Sequence, residues 1–414
     1  MKVTFLRRHI ASSLALASLL AAGSSTAAES FNVTLDPATN GKFQVSPALP
    51  ADGKYLAGTV VTVTTRPDAG FAFDSGYFST PGRFGAMFYE SMTPTFKVTV
   101  NKEMRIGASF VERSAVDHLT VKQDIVYAKP GVKPLKYDVF TPKGAKNLPI
   151  VVIIHGGGWV ANDENIMRGL ARELTRGGKF VVASIDYRWA AREDGDATNN
   201  TMANLIEDVY GAIAHIMEHA SGYGGDASRI VLTGDSAGGH LSASGSLMVD
   251  RIGDGGFGKT PGVFEFKPSY LPEGKTSADV KKEMLAAIKG AAPTYGVFGG
   301  PFMQHHSQDP KADDSWKVAV SPIAHIPNAS ERAVPQYLIR GTADPLITDE
   351  MCRTFMDALV KAGQRVQYVE VGGAGHAFFD WKPDAQTKAT FKQYGVYYAA
   401  EMKAFFESVV YGTR

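Results

Sequence analysis

A single cysteine, Cys352, stands in 414 residues. One thiol builds neither a disulfide framework nor a cysteine-rich metal site. Net charge is equally scarce: 43 Lys and Arg face 42 Asp and Glu, leaving +1. Without a basic field, nucleic acid is excluded as the main partner. Long apolar runs are missing after the first thirty residues, so nothing there reaches the roughly 20 residues that span a bilayer. Apolar and aromatic residues are plentiful, at 44% and 10%, which excludes a disordered chain. Glycine is plentiful too, with 43 of 414 residues, so many tight turns are expected.

Residues 1–28 open with Lys2, Arg7 and Arg8, continue with an apolar run over 10–22, and end in small residues, SSTAA. That three-part pattern is a secretory signal peptide with cleavage expected after Ala28, which makes the protein secreted or periplasmic. The apolar run is too short for a membrane anchor. No cysteine follows it, so a lipoprotein anchor has no support.

Residues 29–112 carry β-structure signals. Residues 59–65 (TVVTVTT) are β-branched throughout. Residues 96–100 (FKVTV) and 104–110 (MRIGASF) alternate, and the intervening Asn101-Lys102-Glu103 signals a hairpin. Pro67-Asp68-Ala69-Gly70 marks a turn. With the GTVVTV and PDAGFAF runs and the closing hairpin, the segment resembles the divergent internalin-type B-repeat modules of bacterial surface and secreted proteins. That resemblance implies a small all-β accessory module for interaction or spacing. Contact with carbohydrate or a surface is left open for it, and no chemistry is assigned.

From residue 113 the pattern becomes an alternation of strands and helices. Strands are expected over 149–154, 180–185, 229–233, 337–340 and 366–371, and helices over 165–176, 202–219, 240–248, 349–363 and 390–410. Continuous apolar strands between helices mean a mostly parallel sheet covered on both faces, an α/β fold over 113–414. Residues 252–277 and 296–316 are rich in Gly, Pro and polar residues and read as long loops shaping a rim. Cys352 falls on the apolar face of the 349–363 helix as a small buried hydrophobe.

Two glycine motifs follow strands. Gly234-Asp235-Ser236-Ala237-Gly238-Gly239 is G-x-S-x-G in a strand–turn–helix setting, which exposes Ser236 on a sharp turn. His155-Gly156-Gly157-Gly158-Trp159 lets the backbone approach a substrate oxygen and aim N–H groups at it. A phosphate loop is excluded, since no G-K-[ST] follows. His376, in a glycine-rich loop after a strand, is the candidate base, and Asp344, just past another strand end, its orienter. The order Ser236, Asp344, His376 is that of the α/β hydrolases.

Together with Asp186-Tyr187-Arg188 and Gly341–345, these motifs make residues 120–412 resemble an α/β-hydrolase esterase of the HGGG-bearing group, closest to secreted feruloyl/acetyl xylan esterase-like enzymes. The resemblance implies an oxyanion hole of Gly157, Gly158 and Ala237, and a structural pairing of Arg188 with Asp208. It implies no metal and no cofactor. Residues 125–142 read as strands, which argues against a large helical lid. Trp159, Phe298 and Phe378, with Phe302 and Trp381, are candidates for an aromatic-friendly substrate pocket. The expected activity is serine ester hydrolysis of short-chain or aromatic acyl esters, such as acetylated or feruloylated plant polysaccharide. The alternatives are a prolyl-oligopeptidase-like peptidase, for which 84 leading residues are too few to form a propeller, and a polyester- or lipid-type carboxylesterase. A non-catalytic binding protein is disfavoured by the complete set of site residues.

Overall fold

The computed structural model describes residues 29–82, 85–190, 200–299 and 314–412. The leader expected over 1–28 lies outside them. Among the described residues the leading unit is a two-layer β-sandwich. Its strands are β1 (Ser30–Leu35), β2 (Gly41–Ser46), β3 (Lys54–Leu56), β4 (Val60–Pro67), β5 (Phe71–Gly82), β6 (Gly85–Ser91), β7 (Thr95–Thr99) and β8 (Met104–Glu112). One sheet has the order β3-β1-β8-β5-β6 and the other β2-β4-β7. Alternation along β4 turns Val61 and Val63 inward, where they meet Val98, Val33 and Ile106 of both layers.

The hairpin expected from residues 96–110 does not form. β7 pairs with β4, whereas β8 pairs parallel to β1 and antiparallel to β5. The segment 101–103 carries the chain from one layer to the other. Val98 and Val100 before it, and Met104 and Ile106 after it, bury in one shared core. A flat hairpin would place both strands in one layer and strip that core of a side.

The second unit holds β9 (Leu119–Ala128), β10 (Leu135–Pro142), β11 (Leu148–Ile154), β12 (Val181–Ile185), β13 (Gly225–Asp235), β14 (Ile288–Thr294), β15 (Gln336–Gly341) and β16 (Val366–Val371). They form one sheet in the order β16-β15-β14-β13-β11-β12-β10-β9. Pairing is antiparallel at β9–β10 and β10–β12 and parallel elsewhere. Helices α1 (Arg168–Thr175), α2 (Met202–His219), α3 (Ala237–Leu247), α4 (Ser277–Ala287), α5 (Asp314–Ala319), α6 (Asp349–Lys361), α7 (Ala385–Thr390) and α8 (Val396–Val410) complete it. This is an α/β-hydrolase fold preceded by a small all-β module.

Most expected elements stand within a few residues of their places, with telling exceptions. The helix expected over 165–176 starts as a separate turn, Glu164–Met167, before α1. The one expected over 390–410 is α8 preceded by a wide turn at Phe391–Gly395. α4 and β14 went unforeseen. Only Val280, Met284 and two small residues of α4 bury, which leaves little apolar periodicity. β14 contains Gly290 and Pro293, residues that argue against a central strand. Its pairing to β15 is sparse, restricted to Ala291↔Gln336 and Thr294↔Ile339, so Pro293 costs the ladder nothing there. Residues 252–276 are irregular as expected, tied by the bridges Ile252↔Phe266 and Phe257↔Phe264. Of the second expected loop, residues 300–313 lie outside the described residues.

The two units are joined by a buried ion network. Asp74 of β5 accepts from Arg168 Nε at 3.0 Å, Arg172 Nη2 at 2.7 Å, Ser109 Oγ at 2.8 Å and Trp381 Nε1 at 3.0 Å. Glu90 of β6 takes Arg168 Nη2 at 2.6 Å. Burial pushes the Asp74 carboxyl up, but the Arg168 and Arg172 charges outweigh it and hold the group well below its usual range.

Candidate active site

Parallel strands deliver their following loops to one edge of the sheet, and the site lies there. β13 ends at Asp235, and Ser236 turns the chain into α3 with φ 52° and ψ −114°. Such a backbone is strained for a residue with a side chain, and its neighbours hold it. Ser236 N–H donates to Thr294 O at 3.0 Å, and Ser236 O accepts from His240 N at 3.1 Å. A Cβ on Gly238 would come within 1.9 Å of Ile154 O, so glycine alone lets the turn sit against the end of β11. Ala237 opens α3, leaving its N–H without an intrahelical acceptor.

β16 delivers His376 and β15 delivers Asp344. His376 Nε2 lies 2.9 Å from Ser236 Oγ, and His376 Nδ1 lies 2.7 Å from Asp344 Oδ2. Asp344 Oδ1 accepts from Leu346 N at 2.8 Å and Ile347 N at 3.0 Å. Burial pushes this carboxyl up, but the bonds from His376 and Ile347 prevail and hold it below its usual value. The three residues singled out in sequence therefore meet in one hydrogen-bonded series. Tyr295, at the end of β14, sets its ring edge-on to His376 at 5.0 Å and takes the Phe379 N–H on its hydroxyl at 3.1 Å. Sequence reasoning missed it along with its strand.

The glycine loop after β11 turns through Gly157 at φ 121°, Gly158 at φ 59° and Trp159 at φ 64°. A Cβ on Gly157 would sit 2.2 Å from Ala161 O, so close approach and dihedral both demand glycine there. Buried His155 stacks on Tyr187 at 4.3 Å and reaches Asp186 Oδ1 at 3.4 Å. Gly156 N–H donates to Asp235 Oδ1 at 2.7 Å, which ties this loop to the serine turn. Arg188 and Asp208 pair through two bonds of 2.8 Å, the structural role expected of them.

The aromatic candidates fare differently. Trp159 is 2% exposed, with its indole N–H 3.3 Å from His240 Nδ1. Phe298 stacks on Phe355 at 3.9 Å, and Phe378 is fully buried against Tyr295. Trp381 is turned toward Asp74. These rings are buried in the packing, and the two indoles spend their N–H groups on His240 and Asp74. Phe302 lies outside the described residues. Among those described, no cluster of His, Cys, Asp or Glu has the makings of a metal site. Cys352 is buried, and burial pushes its thiol up to about 12.

Comparison with known proteins follows the same division. The BD-FAE family model matches residues 137–263, and that of the divergent InlB B-repeat domain matches residues 31–114. Esterase LipQ of Mycobacterium tuberculosis is 29% identical over 65% of this chain and 57% of its own length. The probable carboxylic ester hydrolase LipM of the same organism is 30% identical over 56% of this chain and 49% of its own. The chain thus spans about half the length of the curated relatives it matches. Thermogutta terrifontis esterase 2, solved phosphoramylated by tabun, superposes with a TM-score of 0.50 at 26% identity, over 69% of this chain and 94% of that one.

Proposed function

We propose that residues 113–414 are a serine carboxylic ester hydrolase working through an acyl-enzyme. The observation that carries this reading is the unbroken Ser236–His376–Asp344 series, with bonds of 2.9 and 2.7 Å, set beside the glycine loop. The esterase kinship of the relatives supports it. His376 Nε2 takes the Ser236 proton as Oγ attacks the ester carbonyl. Asp344 accepts the Nδ1–H bond and stabilises the imidazolium without taking the proton. The amides of Gly157, Gly158 and Ala237 receive the oxyanion, and losing one such donor costs about 10²–10³ in kcat. His376 then protonates the leaving alcohol, and water repeats the attack to free the acid.

Short-chain or aromatic acyl esters borne on plant polysaccharide are the proposed substrates, on the sequence resemblance and the BD-FAE match. Discrimination among acyl groups does not rest on Trp159, Phe298 or Phe378, which are buried. Export is proposed on residues 1–28 alone. A panel of p-nitrophenyl esters, methyl ferulate and acetylated xylan ranks the substrates. Ser236→Ala is expected to lower p-nitrophenyl acetate turnover by about 10⁴-fold or more and to abolish labelling by a fluorophosphonate. Turnover within tenfold of the parent would overturn the assignment.

A further inference from the structure

The loop that carries the base is strained, and its far end is fastened to the other unit. Ala377, directly after His376, has φ 62°, a left-handed backbone on a residue with a side chain. Strain of this kind persists only where the surroundings hold it. Upstream, Ala374 O accepts from Ala343 N at 2.9 Å, which pins the loop to that of Asp344. Downstream, Phe379 N–H donates to the Tyr295 hydroxyl at 3.1 Å, and Asp380 N–H closes back on Ala377 O at 3.2 Å. Trp381 ends the series. Its backbone N–H donates to Ile166 O at 2.9 Å, in the turn behind the glycine loop. Its indole N–H donates at 3.0 Å to Asp74 Oδ2, in β5 of the leading module.

The indole is closely seated. A Cβ on Gly169 would come within 2.8 Å of Trp381 Cε3, so the ring lies flush on α1. Phe391 meets it edge-on at 5.2 Å, and the Arg172 guanidinium lies over it at 5.8 Å. The carboxylate that receives the N–H is itself fixed by Arg168, Arg172 and Ser109. We propose that the leading module takes part in catalysis by position: Asp74 holds Trp381, and Trp381 holds the histidine loop in its strained form. Both are positioning residues for His376, since neither touches the reacting atoms. With the loop held, His376 Nε2 stands 2.9 Å from Ser236 Oγ and Nδ1 stands 2.7 Å from Asp344 Oδ2. With the indole bond gone, Ala377 is free to relax, and the imidazole moves with it. A displacement of about 1 Å at reacting groups costs about 10²-fold in rate. The module is on this account a part of the active site's scaffold and not a spacer.

The kinetic arm of the test rests on the ester-hydrolase reading, whereas the spectroscopic arm needs no substrate. The full chain is compared with its Trp381→Phe and Glu90→Gln variants, each assayed below its own thermal midpoint. Phe keeps an aromatic ring in the seat and removes the N–H donor. Glu90→Gln weakens the same joint at Arg168 and leaves the indole bond in place. Trp381→Phe is expected to lower kcat for p-nitrophenyl acetate about 10- to 100-fold with KM unchanged. Glu90→Gln is expected to lower the thermal midpoint and keep kcat, so that loss of rate follows the indole bond and not stability. The proton in the short His376–Asp344 bond resonates far downfield in the NMR spectrum. That resonance is expected to move upfield or broaden in Trp381→Phe and to stay in place in Glu90→Gln. A kcat for Trp381→Phe near the parent's, an unmoved resonance in that variant, or an equal fall of kcat in Glu90→Gln would overturn the proposal. A parent chain without ester turnover would sink the reading of the site instead, and the resonance would then decide the positioning by itself.

Discussion

Asp344 shows how much one side chain answers for. It is 7% exposed, and its two oxygens are divided between the imidazole and two backbone amides. Its folded value lies below the ordinary one of about 3.9. The sign follows: the carboxylate's contribution to stability is present above the ordinary value and lost as pH falls through the folded one. Asn in its place keeps the shape but presents an amide where the imidazole needs an anion. Asp344→Asn is therefore expected to lower kcat by about 10⁴-fold and to narrow the difference in urea-unfolding stability between neutral and acid pH. A variant within tenfold of the parent in kcat would remove Asp344 from the catalytic set.

Elements were legible where one local rule governed them. Helix α2 and strand β16 were placed to the residue because their apolar patterns extend from cap to cap. The three series residues were legible for a related reason: each follows a recognisable strand and stands among glycines or a proline. What escaped was whatever depends on a distant partner. Strand β14 exists because β13 and β15 flank it, not because IKGAAPT favours extension. The bond from Gly156 N–H to Asp235 joins loops that no short window contains. The supposed hairpin failed likewise, since both flanking strands alternate correctly and only the sandwich decides which partner each takes. A direct test is to replace Asn101-Lys102-Glu103 with Asn-Gly, the preferred two-residue hairpin turn. The exchange is expected to lower the thermal midpoint of the protein, because two residues close a hairpin and do not bridge two layers. An unchanged midpoint would restore the hairpin.

Across the whole molecule, the leading sandwich is fastened to the chemistry through Trp381. This residue follows Asp380 directly, donates its indole N–H to Asp74, and pairs its backbone N–H with Ile166 O at 2.9 Å. Arg168, 2% exposed, spans from Asp74 to Glu90. Asp74→Ala strands the buried Arg172 guanidinium and leaves Arg168 with Glu90 as its one carboxylate partner, and breaking a buried pair in this way costs about 3–5 kcal/mol. Urea unfolding at neutral pH is the measurement, and a loss below about 1 kcal/mol would show the joint to be loose. The parent's margin over the variant is expected to shrink in acid, since a depressed carboxylate contributes least once protonated.

The joint also has a history in time. Asp74 leaves the ribosome long before the groups that pair with it: Arg168, which neutralises it, follows 94 residues later and Trp381 follows 307 residues later. At about 5–20 residues per second, the first of these intervals lasts roughly 5–20 s and the second roughly 15–60 s. Through the first interval Asp74 and Glu90 are without the cations of Arg168 and Arg172. Synthesis thus fixes an order of events in which Arg168 and Arg172 answer the charge first and Trp381 closes the joint last.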